Sequence, residues 1–175
     1  MANPLHHSVP AGQSLCASCG FCCNGVLFTA VTLQSTDKPE QLIELGLDVK
    51  RRGRGFRFAQ PCVAFKSGRC SIYQQRPGHC AKFDCRLLQK LNLGDISLID
   101  AIETVKKAKE ELAKLETSLK EAGDANPELA LNTRFRRVMS QPLDLSAGPA
   151  FWKTRSRLTK AVQRFTAMVE KRFLD

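Results

Sequence analysis

The second half of the chain carries apolar residues at the spacing of an α-helix. Ser97 stands before the first such segment as an N-cap, Asp100 completes a capping box three residues later, and Gly123 ends the segment. An apolar stripe of this kind needs a surface to cover it, so we expect the helix to pack against other elements. The positions that share this stripe are Leu98, Ile102, Val105, Ala108, Leu112, Leu115 and Leu119.

Two more helices are predicted towards the C-terminus. One covers Pro127–Met139, and the other runs from Pro149 to Phe173. Both are interpreted as amphipathic segments that need a partner surface. The last helix has its apolar stripe at Phe151, Leu158, Val162, Phe165, Val169 and Phe173.

The first half follows a different pattern, rich in glycine, cysteine, arginine and phenylalanine with few long periodic segments. We therefore predict a mainly α protein with a loop-rich cysteine module over residues 15–93 and a helical extension over residues 94–175. The elements predicted within the first half are a loose tail over residues 1–14, a strand over Val26–Leu33, a short helix capped by Asp37 and stopped by Gly46, and a second short helix over Asp84–Leu91 that ends before Gly94.

Composition and charge limit the classes of protein that fit. Hydrophobic residues make up 43% and charged residues 25% of the 175 positions, which are values of a globular chain. The longest apolar run, Cys62–Phe65, is too short to cross a membrane. The N-terminus has neither the basic nor the apolar region of a secretion signal, so we expect a cytoplasmic protein.

Cysteine is the unusual residue of this sequence. All eight cysteines lie between Cys16 and Cys85, and in a reducing cytoplasm such a density indicates metal binding rather than disulfide bonds. A loop-heavy module buries little apolar surface, and bound metal would supply the stability that it lacks. The candidate ligands are Cys16, Cys19, Cys22, Cys23, Cys62, Cys70, Cys80 and Cys85.

The spacing of the first cysteines is typical of an iron–sulfur site. Cys16, Cys19 and Cys22 form two successive Cys-x-x-Cys steps, which let three thiolates converge on one centre. Cys23 points a different way from its neighbour and would serve a second centre or none. The same thiolates suit tetrahedral zinc, and the spacing does not decide how eight cysteines divide between one or two sites. We favour a 4Fe–4S cluster over zinc, and we interpret His79 as a residue that does not bind the metal.

The combined pattern resembles a known family. It consists of Cys16-x-x-Cys19-Gly20-x-Cys22-Cys23, then Pro61-Cys62, then Cys70-x-Ile72-Tyr73-x-x-Arg76-Pro77, then Cys80-x-x-Phe83-x-Cys85. Over roughly residues 14–90 it is similar to the YkgJ-type CxxCxxCC cysteine-cluster proteins, the zinc- or iron-chelating domain, and all eight family cysteines find a match. The resemblance implies a metal or iron–sulfur site. Flagellin lysine-N-methylases contain a related domain, so a redox or methyl-transfer enzyme that uses the cluster is an alternative.

Other features of the motif have simpler interpretations. Pro77 and Gly78 form a turn, Phe83 fills a small core, and Arg76 caps carbonyl groups, pairs with Asp84 or offsets the charge of thiolates. We favour these structural roles over catalysis.

Basic residues suggest a further alternative, a zinc-stabilised module that binds nucleic acid or protein. The run Arg51–Phe58 holds four arginines and two phenylalanines, as single-strand binders do. The simpler interpretation, which we favour, is a solvated loop whose two Phe side chains bury against the module. A solvated helical face likewise accounts for Arg134, Arg136, Arg137, Lys153, Arg155, Arg157, Lys160 and Arg164. The sequence indicates neither a specific partner nor an oligomeric state.

Overall fold

The structure is a computed structural model that describes residues 11–142 and 146–174. It is mainly α, as the sequence predicts. The helices are α1 (Ala11–Cys19), α2 (Pro39–Glu44), α3 (Gly78–Lys82), α4 (Arg86–Leu93), α5 (Leu98–Glu121), α6 (Leu131–Ser140) and α7 (Pro149–Val169), which continues into a π-helical turn (Glu170–Leu174). The strands are β1 (Ala30–Thr32), β2 (Val49–Arg52), β3 (Gly55–Ala59), β4 (Phe65–Lys66) and β5 (Arg69–Cys70). Within the described residues, no helix combines the length and apolar character needed to cross a membrane.

The predicted ends of α5 are confirmed. The Ser97 hydroxyl accepts the backbone N–H of Asp100 at 3.1 Å, and Gly123 follows the helix with a φ of +93°. One position of the predicted apolar stripe is wrong, because the Ile102 side chain is 40% exposed. Ala101, the preceding position, is buried in the core instead.

The helices enclose one core that includes residues from both sides of position 93. Leu15 of α1 and Leu88 of α4 pack there with side chains of α5 and α7. Phe21 enters the same core from the cysteine loop, and its ring centroid lies 5.4 Å from that of Phe173. The first cysteines are therefore attached to the helical core, and the C-terminal turn contributes to that attachment. The buried members are Leu15, Phe21, Leu87, Leu88, Ala101, Val105, Ala108, Leu112, Leu115, Leu119, Val138, Leu158, Phe165, Val169 and Phe173.

Two arginines that we expected on the solvated basic face are buried instead. Arg134 donates to Asp124 at 2.8 Å and to Glu116 at 3.1 Å, which ties α6 to the end of α5. Arg155 donates to the carbonyl groups of Val138 and Met139 at the end of α6. Each guanidinium has partners that offset the cost of burying its charge, so both are structural residues.

A small antiparallel sheet with strand order β1-β3-β2 forms the other part of the fold. Phe58 of β3 is buried and packs in a second core with Leu42 and Ile72. The basic run that we expected to be a loop is a β-hairpin, with Arg51 opposite Phe56 and Arg52 opposite Gly55. Its alternation of basic and aromatic positions matches the period of a strand.

Three further predictions need correction, two in the first half and one in the second. The segment predicted as a tail includes the start of α1, which begins at Ala11, while residues 1–10 lie outside the described part of the chain. The strand predicted over Val26–Leu33 is reduced to β1, because only these residues pair with β3. In the second half, α6 begins at Leu131 rather than at Pro127. The Leu131 N–H donates to the Gly25 carbonyl at 3.0 Å and so attaches the start of α6 to the segment that contains Gly25.

Asp37 does not cap the helix that it was predicted to start. Helix α2 begins at Pro39, and its N-cap Lys38 forms no side-chain capping hydrogen bond. The Asp37 carboxylate instead accepts the backbone N–H of Gln34 and that of Gly78, both at 2.7 Å. It thereby joins the turn before α2 to the start of α3, which carries Cys80. A contact across 41 residues cannot be recognised from a local capping pattern.

Candidate metal centre

The cysteines fall into two groups that lie on the two different cores. Cys19 and Cys85 pack against the helical core. Cys16 lies on α1, and Cys22 lies in the loop that follows this helix. The thiols of Cys16 and Cys22 interact electrostatically with those of Cys19 and Cys85. We call this group the helical set: Cys16, Cys19, Cys22 and Cys85.

The thiols of the helical set are held neutral by burial and by each other. The pKa of Cys19 is raised to about 12, first by burial and then by negative charge on Cys85 and Cys16. Burial likewise raises the pKa of Cys22, with added effects of Cys19, Cys85, Cys23 and Cys16. Coulombic effects of this kind decline with distance, and they link Cys22 to Cys23 as well as to the other three cysteines of the helical set. A bound cation would reverse them, since it favours the thiolate.

Backbone N–H groups lie near two sulfur atoms of the helical set. Cys85 is the N-cap residue of α4, and although its side chain makes no capping hydrogen bond, the N–H groups of Leu88 and Leu87 oppose the rise that burial causes in its pKa. The Phe21 N–H acts in the same way on Cys19. These groups favour negative charge on sulfur, as ligands of a metal require.

The other four cysteines surround the second core, and we call them the sheet set: Cys23, Cys62, Cys70 and Cys80. Three of them, Cys62, Cys70 and Cys80, pack directly against that core. Cys23 is joined to this group because its carbonyl accepts the Cys62 N–H at 2.7 Å. Cys70 lies opposite Phe65 in the short β4–β5 hairpin.

Electrostatic effects within the sheet set follow the same grouping. The pKa of Cys23 is raised to about 12. Burial is the largest cause, the charges of Cys62, Cys70 and Cys80 follow, and the charge of Cys16 contributes less than any of these. The pKa of Cys80 is raised to about 11, first by burial and then by the charges of Cys62 and Cys70. The adjacent residues Cys22 and Cys23 therefore interact most strongly with different groups of thiols, while weaker effects link Cys22 to Cys23 and Cys23 to Cys16.

Arg76 acts on both sets. Its guanidinium donates to the carbonyl groups of Tyr73 at 3.0 Å and Cys80 at 3.3 Å, and it stacks on the Tyr73 ring at 3.8 Å. Its charge lowers the pKa of Cys16 in the helical set and of Cys80 in the sheet set. The interpretation of Arg76 as a residue that caps carbonyls and offsets thiolate charge agrees with these contacts.

His79 uses its ring to bind the backbone. The Nδ1 atom lies 2.6 Å from the Thr32 carbonyl oxygen, so His79 joins α3 to β1. This contact gives the ring a structural role, and the interpretation of His79 as a non-ligand stays a prediction.

Gly20 is required where the cysteine loop turns. It has a φ of +75°, and its carbonyl accepts the N–H groups of Cys23 and Asn24 at 2.9 Å each. A Cβ atom at this position would overlap the ring of Phe65, which covers the turn. Phe65 belongs to the β4–β5 hairpin that carries Cys70, so this contact packs the two halves of the cysteine module together.

We expect Gly20→Ala to destabilise the protein by about 2–4 kcal/mol, because it combines left-handed strain with a clash. The matched control is Gly46→Ala, at a φ of +89° with no atom within 4 Å of the added Cβ, which should cost only about 1 kcal/mol. Urea unfolding of both variants measures the difference. Equal losses would contradict a role for the Phe65 contact.

The donor chemistry of both sets suits zinc or iron, but their sulfur atoms are not gathered tightly. Within residues 11–142 and 146–174, no three His, Cys, Asp or Glu side chains are placed to hold a metal ion as they stand. Burial raises the pKa of the Cys19, Cys22 and Cys80 thiols and keeps them neutral, and nothing draws neutral thiols together. Metal binding would therefore bring each set closer together and release its protons.

Comparison with known proteins gives one family. The family model "CxxCxxCC: Putative zinc- or iron-chelating domain" matches residues 15–111, more than half of the chain, and spans all eight cysteines. The chain therefore belongs to the CxxCxxCC family, which confirms the resemblance and the prediction of a protein that binds zinc or iron. The matched region extends beyond the cysteines into α5, which covers the helical set's core. No curated protein and no solved structure matches the chain.

Proposed function

We propose that the protein holds two four-thiolate metal centres, one in the helical set and one in the sheet set. The observation that carries the proposal is that Cys19 and Cys85 pack on the helical core, whereas Cys62, Cys70 and Cys80 pack on the second core. Cys16 and Cys22 interact electrostatically with the first group, and the Cys23 carbonyl accepts the Cys62 N–H of the second. Four thiolates are a complete ligand shell for zinc and for an iron–sulfur cluster. All eight cysteines then act as ligands, and none remains as a nucleophile.

The helical set is proposed to hold a 4Fe–4S cluster. Three of its ligands come from the Cys-x-x-Cys-x-x-Cys run, and the fourth, Cys85, comes from the start of α4. The N–H groups near Cys19 and Cys85 would stabilise the negative charge that such a cluster places on its sulfur atoms. A cluster of this kind supplies one-electron chemistry when it is bound.

The sheet set takes its four thiolates from four separate segments, a donor set that zinc and iron–sulfur centres share. Arg76 supports both centres, because its charge favours the thiolate forms of Cys16 and Cys80. The side chain is anchored by two carbonyl groups and a ring, so it holds this charge in a fixed place.

The proposal is tested by measuring iron, acid-labile sulfide and zinc per chain in protein purified without oxygen. We expect iron with matching sulfide and a visible absorption that dithionite bleaches. Zinc at about two per chain without sulfide would overturn the iron–sulfur assignment but keep the two centres. Freely reactive thiols at all eight positions, with neither metal bound, would overturn the whole proposal.

A further inference from the structure

The β2–β3 hairpin carries an excess of positive charge that the fold does not use. Between Asp48 and Ala59 there are five basic residues and one acidic residue, a net charge of +4 within a chain of +10. Asp48 pairs with Lys50 at 2.8 Å in an exposed contact. Across the described part of the chain, the guanidinium groups of the hairpin form neither an ion pair nor a hydrogen bond. These arginines are Arg51, Arg52, Arg54 and Arg57.

The strand register places these charges against each other. Lys50 lies directly opposite Arg57 on the face that points away from the second core, and Arg52 follows on the same face. Like charges opposite each other destabilise a sheet. The arrangement is therefore costly for the fold alone, and an anionic ligand would remove the cost.

The hairpin also carries a partly exposed aromatic ring near its turn. Phe58 alternates with Phe56 along β3, but only Phe58 is buried, whereas the Phe56 side chain is 36% exposed. Arg51 lies opposite Phe56 on the face that Phe58 also occupies, the reverse of the face with Lys50, Arg52 and Arg57, and both residues are close to the turn that carries Arg54. The expectation that both phenylalanines bury is thus correct for one of them only.

We propose that the β2–β3 hairpin binds single-stranded nucleic acid that wraps around its turn, with arginines of both faces on phosphates and Phe56 stacked on a base. Guanidinium groups match phosphate oxygens in pairs, and an aromatic ring accepts any base, so the combination fits this ligand. An anionic membrane is a poorer match, because the hairpin offers a single exposed aromatic residue rather than an apolar face to insert. The proposal does not depend on which metal the cysteines hold.

The test measures fluorescence anisotropy of labelled oligouridylate and oligothymidylate with the metal-loaded protein. With about four phosphate contacts, affinity should fall about 50-fold between about 50 and about 200 mM salt. Neutralising three arginines in Arg52→Gln/Arg54→Gln/Arg57→Gln should lower the salt slope by about 2. The matched control is Arg136→Gln/Arg157→Gln/Arg164→Gln, which removes the same charge from exposed positions on α6 and α7 and should bind as the unmodified protein does.

A second variant separates stacking from charge. Phe56→Ala should weaken binding about tenfold, and Phe56→Tyr should retain it, because a tyrosine ring also stacks on bases. Equal losses in the two triple variants, or no binding of either oligonucleotide, would overturn the proposal. Binding to anionic vesicles without binding to an oligonucleotide would overturn it as well. Metal content is measured on the same samples, so a failure with metal in place leaves the two-centre proposal intact.

Discussion

Cys22→Ser and Cys23→Ser, which change neighbouring residues, are expected to abolish two different metal centres. The Cys22 thiol interacts most strongly with those of Cys19 and Cys85, whereas the Cys23 thiol interacts most strongly with those of Cys62, Cys70 and Cys80. Each variant should therefore lose the metal of one set and keep the metal of the other. Loss of a centre that contributes about 5 kcal/mol would lower the melting temperature by about 10–20 °C in a chain of this size.

The same division predicts which variants resemble each other. Cys85→Ser should match Cys22→Ser, because both remove a ligand of the helical set, and Cys70→Ser should match Cys23→Ser. Combining Cys22→Ser with Cys85→Ser should cost no further metal, whereas combining Cys22→Ser with Cys70→Ser should leave none. Metal analysis of the purified variants measures this, and each pair serves as the control for the other.

Amide hydrogen exchange shows which elements are destabilised when one metal centre is lost. Loss of the helical centre should speed exchange in α1 and α4, which pack on the same core as Cys19 and Cys85. Loss of the sheet centre should act instead on β1–β3, near Phe58 and the second core. A single variant that empties both centres and loosens both regions would contradict two independent sites.

Helices α4, α5 and α7 could be predicted from the sequence because their signals are local, whereas α1 and α3 were not predicted. Ser97 and Asp100 cap α5 across three residues, and Gly94 and Gly123 end α4 and α5 with positive φ angles, which favour glycine. The apolar stripe of α7 also follows from a period of 3.6 residues. Each of these features depends on residues within one or two turns of each other.

The features that shape the candidate site depend on contacts between distant residues. Phe21 holds the cysteine loop by packing on Phe173, and Asp37 holds α3 through the Gly78 N–H. Spacing alone allowed many divisions of the eight cysteines, because the grouping is decided by which core each segment packs against. The one sign in the sequence was the adjacency of Cys22 and Cys23, since neighbouring side chains in a loop rarely serve the same centre.

The metal-free protein is expected to lose stability in alkaline solution. Burial raises the pKa of Cys19 and Cys23 to about 12 and of Cys80 to about 11, from an ordinary value of 9.0. Thiols in the unfolded chain ionise near pH 9, while the folded chain holds them neutral, so the unfolded state is favoured as pH rises. The contribution that these buried, protonated thiols make to the stability of the fold is thus complete below about pH 8 and declines from about pH 9 to about pH 12.

The decline is on the order of 1 kcal/mol per pH unit for each such thiol, and several act together. Urea unfolding in chelator and reductant at about pH 7, 9 and 10 measures it, and Cys22→Ser should show a shallower decline, because burial raises the pKa of Cys22 too. The metal-loaded protein should show the opposite dependence, since its thiolates are already ionised and acid displaces the metal by returning protons to sulfur. Metal-free protein with the same stability at pH 7 and pH 10 would contradict the buried, neutral state of these thiols. The same measurement thus reports how strongly the fold opposes charge on its sulfur atoms until a cation is bound.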